Sequence, residues 1–268
     1  MEHEALHQVE KLAVKKSRMY RASPLNYILR SMLASMFIGF GVIVAFKTGS
    51  FFHLEHSPLT YPMAAITFGA AIILISYGGG DLFTGDTFYY TFAALRRKLS
   101  WPLVLKLWGA SYLGNILGAC AFAGLIWATG LFGEPSVNGF LLSVVDKKMH
   151  APALELFFRG LLCNWLVCLA FFIPMFLKGD GPKLFAMMLF VFCFFISGYE
   201  HSIANMCTFA IALVLDHPGT ISAGGVIHNL IPVTLGNLAG GALLMAAMYY
   251  YVNKPFPEEE TEDPHDHH

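Results

Sequence analysis

Ser197-Gly198-Tyr199-Glu200-His201-Ser202-Ile203-Ala204-Asn205-Met206 sits in the middle of a long apolar stretch, so an acid and an imidazole stand side by side at bilayer depth. Ionisable groups there are costly unless they face other protein or a pore. Gly198, Ser202 and Asn205 interrupt the apolar run around the pair. The stretch therefore reads as a site for a polar solute, built where a membrane helix is broken.

The rest of the chain supports that reading. Its 268 residues are 56% hydrophobic and only 13% charged, which excludes an ordinary soluble domain. At about 20 residues per crossing, apolar segments fall near 27–48, 60–95, 101–131, 152–177, 184–215 and 222–252. They predict an all-α membrane protein with six transmembrane helices. Residues 1–26 form a basic amphipathic arm, 27–252 a single membrane domain and 253–268 an acidic tail. Both ends are expected to be solvated and mobile. Lys and Arg concentrate in the arm, at Arg96-Arg97-Lys98 with Lys106, at Lys178 and Lys183 and at Lys254, against Lys47, Lys147 and Lys148 elsewhere. The positive-inside rule then puts both termini in the cytoplasm, and no removable leader is expected. The five cysteines all lie in apolar segments without a CxxC pair and read as small apolar groups. His265, His267 and His268 read as part of the tail; no metal site or other cofactor is expected.

The second and fifth segments are too long for one simple crossing. Each carries a polar, Gly-containing interruption, at Gly78-Gly79-Gly80-Asp81-Leu82-Phe83-Thr84-Gly85-Asp86 and at Ser197 to Asn205. The third segment contains Leu113-Gly114-Asn115-Ile116-Leu117-Gly118 and the sixth Leu235-Gly236-Asn237-Leu238-Ala239-Gly240, both LGNxxG. Each motif follows a broken segment, so helices 1–3 and 4–6 read as repeats. Three helices per repeat means opposite orientations, and inverted repeats with broken helices in matching positions point to a central permeation site.

A break inside the membrane frees backbone N–H groups at the start of the next half-helix, and these can solvate an anion without a fixed cation. Thr84 adds a hydroxyl, while Leu82 and Phe83 supply bulk for a constriction. His201 can donate a hydrogen bond or carry a proton, and Glu200 beside it can hold backbone donors. Asn164 has two readings, donation to a permeant or bonding between helices. Asn115 and Asn237, flanked by glycine, read as packing points that tie down the breaks. Asp81 and Asp86 read as caps of the next half-helix. Arg159, four residues after Glu155, reads either as half of a helical ion pair or as a lure for anions.

Taken together, Gly80-Asp81-Leu82-Phe83-Thr84-Gly85, Asn164-Trp165-Leu166-Val167-Cys168-Leu169-Ala170, the stretch from Ser197 to Met206 and Asn229-Leu230-Ile231-Pro232-Val233-Thr234-Leu235-Gly236-Asn237 resemble the formate/nitrite transporter family. The resemblance covers about residues 20–252. It implies an aquaporin-like protomer with broken helices 2 and 5, a homopentamer with one pore per subunit, and small monovalent anions as substrates: formate, nitrite and hydrosulfide. By motif, His201 is similar to the family's central histidine and Thr84 to the threonine facing it. Leu82 and Phe83 fall in the loop of the broken second helix. Phe68 and Phe194 resemble its constricting aromatics, Ile72 and Val167 its apolar lining, Lys148 a basic residue at the outer entrance and Asn164 a pore-facing amide. Glu200 and Asn237 resemble residues that support the break. The Thr84-Gly85-Asp86-Thr87 pattern and Arg159 resemble nitrite-type members, although formate and nitrite are too alike in size and charge for this to exclude formate. A prokaryotic plasma membrane is the expected location, with lipid and copies of the chain as partners and no nucleic acid.

The mechanism these residues predict is passive or proton-assisted permeation, with His201 lending a proton to an anion that an apolar middle would otherwise reject. A proton-coupled symporter uses the same residues, and a water or neutral-solute channel suits the same architecture. An enzyme is not expected, because the chain shows no metal-ligand set, nucleophile constellation or phosphate loop.

Overall fold

The computed structural model describes residues 2–253 and is helical throughout, with no strand among them. The first helix, α1 (Glu2–Ala22), belongs to the arm expected to be solvated, and here the structure differs. It buries Ala5, Leu6, Val9, Ala13 and Ser17 on one face and packs on the rest of the chain. The helical spacing of those residues, mostly apolar, outweighs the basic composition of the opposite face. Ser23 ends α1, and its hydroxyl accepts the N–H of Asn26 at 3.2 Å to cap α2 (Pro24–Leu54).

The expected second segment consists of α3 (Thr60–Phe68), α4 (Ala70–Gly78) and α5 (Phe83–Leu95), with non-helical residues 79–82 between the last two. Gly79, at φ 76°, takes the left-handed turn that closes α4, a conformation that favours glycine. The third segment is α6 (Trp101–Thr129). An amphipathic helix absent from the expected segments follows, α7 (Pro135–His150), which buries Phe140, Leu141, Val144, Val145 and Met149. The fourth segment is α8 (Ala153–Phe172), prolonged by a tight turn through Pro174. The fifth divides into α9 (Asp180–Ile196) and α10 (Ser202–Val214), with Gly198 at φ 71° in the gap. The sixth is α11 (Ala223–Ala239), which widens through Gly240–Ala247 and ends as α12 (Met248–Val252). The acidic tail beyond residue 253, with Lys254 and the terminal histidines, lies outside the described residues.

By length and apolarity, five helical stretches among the described residues qualify as membrane crossings: Pro24–Leu54, Thr60–Gly78, Trp101–Thr129, Ala153–Phe176 and Ala223–Val252. Six were expected. The difference is the gap after Ile196, which leaves α9 with 17 residues and α10 with 13, each short for a crossing alone.

The LGNxxG repeat has a direct packing meaning. A Cβ at Gly114 or Gly118 would overlap α2, at Ser31 and at the Met32 carbonyl; a Cβ at Gly236 or Gly240 would overlap the Phe157 and Leu161 carbonyls of α8. Each motif thus lets one long helix lie against the backbone of another, α6 on α2 and α11 on α8. The two pairs run in opposite senses. α2 starts at α1 and reaches α7, where Gly49 and Phe46 meet Phe140, whereas α8 starts at α7 and its prolongation reaches the α1 cluster at Phe176. Gly118→Val and Gly236→Val are expected to be equivalent. Each should cost about 1–3 kcal/mol through overpacking, visible as a lowered thermal midpoint of the detergent-solubilised protein, while Gly109→Val, which has open space around it, should not.

Candidate functional site

The two gaps meet at the centre of the molecule. Thr84, in the first turn of α5, lies with its Oγ1 3.0 Å from Nε2 of His201, which caps α10. Nδ1 of the same ring accepts the backbone N–H of Ala204 at 3.0 Å. A backbone N–H can only donate, so Nδ1 carries no proton, the imidazole is neutral and its hydrogen sits on Nε2. The N-termini of α5 and α10 therefore converge on one hydroxyl and one imidazole N–H.

Two asparagines hold the gaps in place by the same geometry. Asn115 Oδ1 accepts the N–H of Phe83 at 3.1 Å, and its Nδ2 donates to the carbonyls of Ser31 (2.7 Å) and Asp81 (3.2 Å). Asn237 Oδ1 accepts the N–H of Ser202 at 2.8 Å, and its Nδ2 donates to the carbonyls of Gly160 (2.7 Å) and Glu200 (2.9 Å). Asn164 ties the halves together, donating to the carbonyls of Thr84 (3.1 Å) and Asn237 (2.6 Å) and to Thr87 Oγ1 (2.9 Å).

On the α7 side of His201 lies a cavity of about 230 Å³ whose wall includes Tyr61, Lys147, Lys148, Arg159, Glu200 and Asn205. On the α1 side lies a small one of about 20 Å³, lined by Ile38, Ala71, Ile72, Ile75, Leu82, Val167 and Val191 and bearing no charge. Phe68, Phe194 and His201 border both. The His201 ring stacks on Phe194 with centroids 5.9 Å apart, and Phe68 meets Phe194 edge-on at 6.0 Å. These three side chains separate the cavities.

Most of the residues singled out from sequence gather here. Phe68, Phe194 and His201 form the partition, Ile72, Leu82 and Val167 line the apolar side, and Lys148 and Glu200 line the polar side. Three of the expected pore residues line neither cavity. Asn164 is fully buried, and bonds to Thr84 and Thr87 of α5 and to Asn237 of α11 occupy its amide N–H groups. Phe83 turns its ring onto Tyr112 at 5.0 Å, and its backbone N–H donates to Asn115. Thr84 reaches the partition only through His201. Sequence reading overlooked the contributions of Tyr61, Phe140, Val144 and Lys147. The apolar spacing of 140, 141, 144, 145 and 149 is the helical signal that marks α7.

Buried ion pairs flank the centre on both sides. Lys148 Nζ donates to Glu200 Oε2 (2.7 Å) and Asn205 Oδ1 (3.1 Å). Lys16 Nζ, from α1, reaches Asp86 Oδ1 (2.6 Å) and Asp81 Oδ1 (3.0 Å), and Arg30 Nε donates to Asp81 Oδ2 at 3.0 Å. Asp81 and Asp86 are thus receptors for cations rather than the helix caps expected, since Leu82 occupies the cap of α5 without a side-chain bond. Burial alone would lower the pKa of Lys16; the Asp86 and Asp81 carboxylates outweigh it and hold the ammonium above the ordinary lysine value. Arg159 pairs with Glu155, the first of the two readings offered for it, and also lines the cavity. Lys16→Met leaves Asp86 buried without its cation and is expected to cost about 3–5 kcal/mol, read as a fall in thermal midpoint. Adding Asp86→Asn should recover part of it; no recovery would mean that the loss is not electrostatic.

A helical membrane protein with a partition of this kind between two cavities belongs to the class that moves small solutes. The model of the formate/nitrite transporter family matches residues 3–251, and the chain belongs to that family. It is 63% identical over 253 residues to an uncharacterized transporter of Bacillus subtilis (strain 168), YwcJ, with 94% of this chain and 99% of the relative covered. It is 35% identical over 259 residues to the nitrite transporter NirC of Escherichia coli (strain K12), with 94% and 95% covered. Among solved structures, an FNT family ion channel superposes with a TM-score of 0.89 at 32% identity, covering 94% of this chain and all of that one. A pentameric formate channel with formate bound gives 0.73 at 26% identity, with 87% and 98% covered.

Proposed function

We propose that this protein lets small monovalent anions of the formate and nitrite class cross a membrane, passively or with a proton, through the partition formed by Phe68, Phe194 and His201. The observation that carries this reading is the neutral His201 bonded to Thr84 where two half-helix N-termini converge, between a cationic and an apolar cavity. In this reading α9 and α10 together make the sixth crossing, and α5 continues the crossing begun by α3 and α4. The exposed apolar surface, which includes Leu25, Phe40, Phe51, Leu105 and Trp127, faces lipid and neighbouring copies. The pentamer is taken from the formate channel to which the fold is similar. The basic arm and tail-proximal end lie in the cytoplasm by the positive-inside rule, so the Lys148 cavity opens outward.

Lys148 and Arg159 draw the anion into the outer cavity. The way onward carries no charge, and a bare anion entering it would lose its hydration without an equivalent return. Passing as the neutral acid removes most of that cost. His201 serves as a hydrogen-bond donor to the permeant oxygen, in place of Thr84. Turning it into an imidazolium would sacrifice its bond from Ala204, so the accompanying proton comes from water rather than from a resident acid.

The test is flux of formate, nitrite and hydrosulfide into proteoliposomes across pH. Saturating flux that rises as pH falls is expected; water flux without any of these anions would favour a channel for neutral solutes, and anion accumulation abolished by a protonophore would favour obligatory proton symport. His201→Ala is expected to slow flux at every pH. His201→Gln, which keeps an N–H donor but does not titrate, should retain the slope of log flux against pH at a reduced rate. A flat profile in that variant would restore the imidazole as the proton donor.

A further inference from the structure

One charge site occurs twice in this chain, in opposite halves. Lys16 of α1 and Lys148 of α7 each reach an acid at the gap, Asp81 and Glu200. The N–H of each acid donates to the carbonyl of an arginine on the adjoining long helix, Asp81 to Arg30 at 3.1 Å and Glu200 to Arg159 at 3.3 Å. Five residues after each acid, on the half-helix, a second side chain accepts from the lysine: Asp86 at 2.6 Å and Asn205 at 3.1 Å.

The repeat differs in two places: the Arg30 guanidinium pairs with Asp81 at 3.0 Å whereas that of Arg159 pairs with Glu155, and the residue five places on is an acid in one half and an amide in the other. Asn205 is neutral, and its Nδ2 donates onward to Glu200 (2.6 Å) and Asn229 (2.9 Å). Asp86 offers no donor. Its oxygens accept from Lys16, from the Tyr27 hydroxyl (3.1 Å) and from the Ser111 hydroxyl (3.1 Å), the environment of an ionised carboxylate. Within the two clusters, Lys16, Arg30, Asp81 and Asp86 therefore cancel, whereas Lys148, Arg159 and Glu200 leave one positive charge; the further cations beside Lys16 on α1, Lys11, Lys15 and Arg18, are exposed to solvent, where salt screens them. Glu155, half exposed at the rim, also pairs with Arg159, and Lys147 on the same cavity offsets it.

We propose that Asp86 makes the two entrances electrostatically unequal, so that the pathway saturates at lower anion concentration from the Lys148 side than from the Lys16 side. The inference rests on the permeation reading above. A fixed positive charge beside a low-dielectric passage raises the local anion concentration, and Asp86 removes that advantage from one entrance. For a passive pathway, detailed balance ties the maximal rate to half-saturation, so the face that saturates earlier also has the lower maximal rate.

The experiment is initial-rate uptake of radiolabelled formate into oriented proteoliposomes, measured separately for each face, with Asp86→Asn and Asn205→Asp alongside the native protein. Native protein is expected to show a several-fold lower half-saturating formate concentration from the Lys148 face, with the difference shrinking at high ionic strength. Asp86→Asn should lower the value for the Lys16 face towards that of the other, and Asn205→Asp should raise the value for the Lys148 face. Should Asp86→Asn fail to fold, the salt dependence and the Asn205→Asp arm decide. Equal half-saturation on both faces of the native protein, or substitutions that leave each face unmoved, would overturn the inference while permeation stands. No anion flux at all would overturn the permeation reading with it.

Discussion

A buried gap between two helices leaves backbone groups that must find partners, and in this chain the side chains of Asn115 and Asn237 receive them. Each carboxamide accepts one N–H from the start of α5 or α10 and donates to one carbonyl in the gap and one on a neighbouring long helix. Without that reciprocal bonding, neither α5 nor α10 would point its N-terminus at the centre. The approach of α6 to α2 and of α11 to α8 depends on the same motifs, because the glycines beside each asparagine bring it within reach of the neighbouring backbone. Packing and polar satisfaction are solved by one six-residue pattern used twice.

What the asparagines support is a contrast of environments. One side of His201 is wide and bordered by cations; the other is narrow and wholly apolar. The partition is aromatic except for one imidazole, and the position of its hydrogen follows from the cap it forms on α10. Chemistry and secondary structure are coupled there, since the atom that would take up a proton is the atom that ends the helix.

Charge is handled away from the partition. Lys16 and Lys148 are tied to acids at the gaps, and α1 and α7, which carry them, are the amphipathic helices that precede each repeat. Neither helix was legible as part of the packed body. The basic composition of residues 2–22 masks the buried stripe from Ala5 to Ser17, and α7 lies in a connection whose overall polarity suggests a loop. Which carboxylate takes which cation was equally hidden, because Lys16 and Asp86 are 70 residues apart and local pattern assigns an acid near a helix start to a cap.

The order of residues alone determined the apolar segments, the two interruptions and the LGNxxG repeat, because hydrophobic length, glycine and a repeated motif are local quantities. It also marked His201, Thr84, Phe68 and Phe194, through an imidazole at bilayer depth and through resemblance. Tertiary structure decided which of these share a surface: Asn164 and Phe83 turned inward to the scaffold, while Tyr61 and Lys147 came to line the larger cavity. The physical reason is that a buried donor must find its acceptor wherever the fold places one, and the partners of Asn164 lie 73 to 80 residues away in the chain.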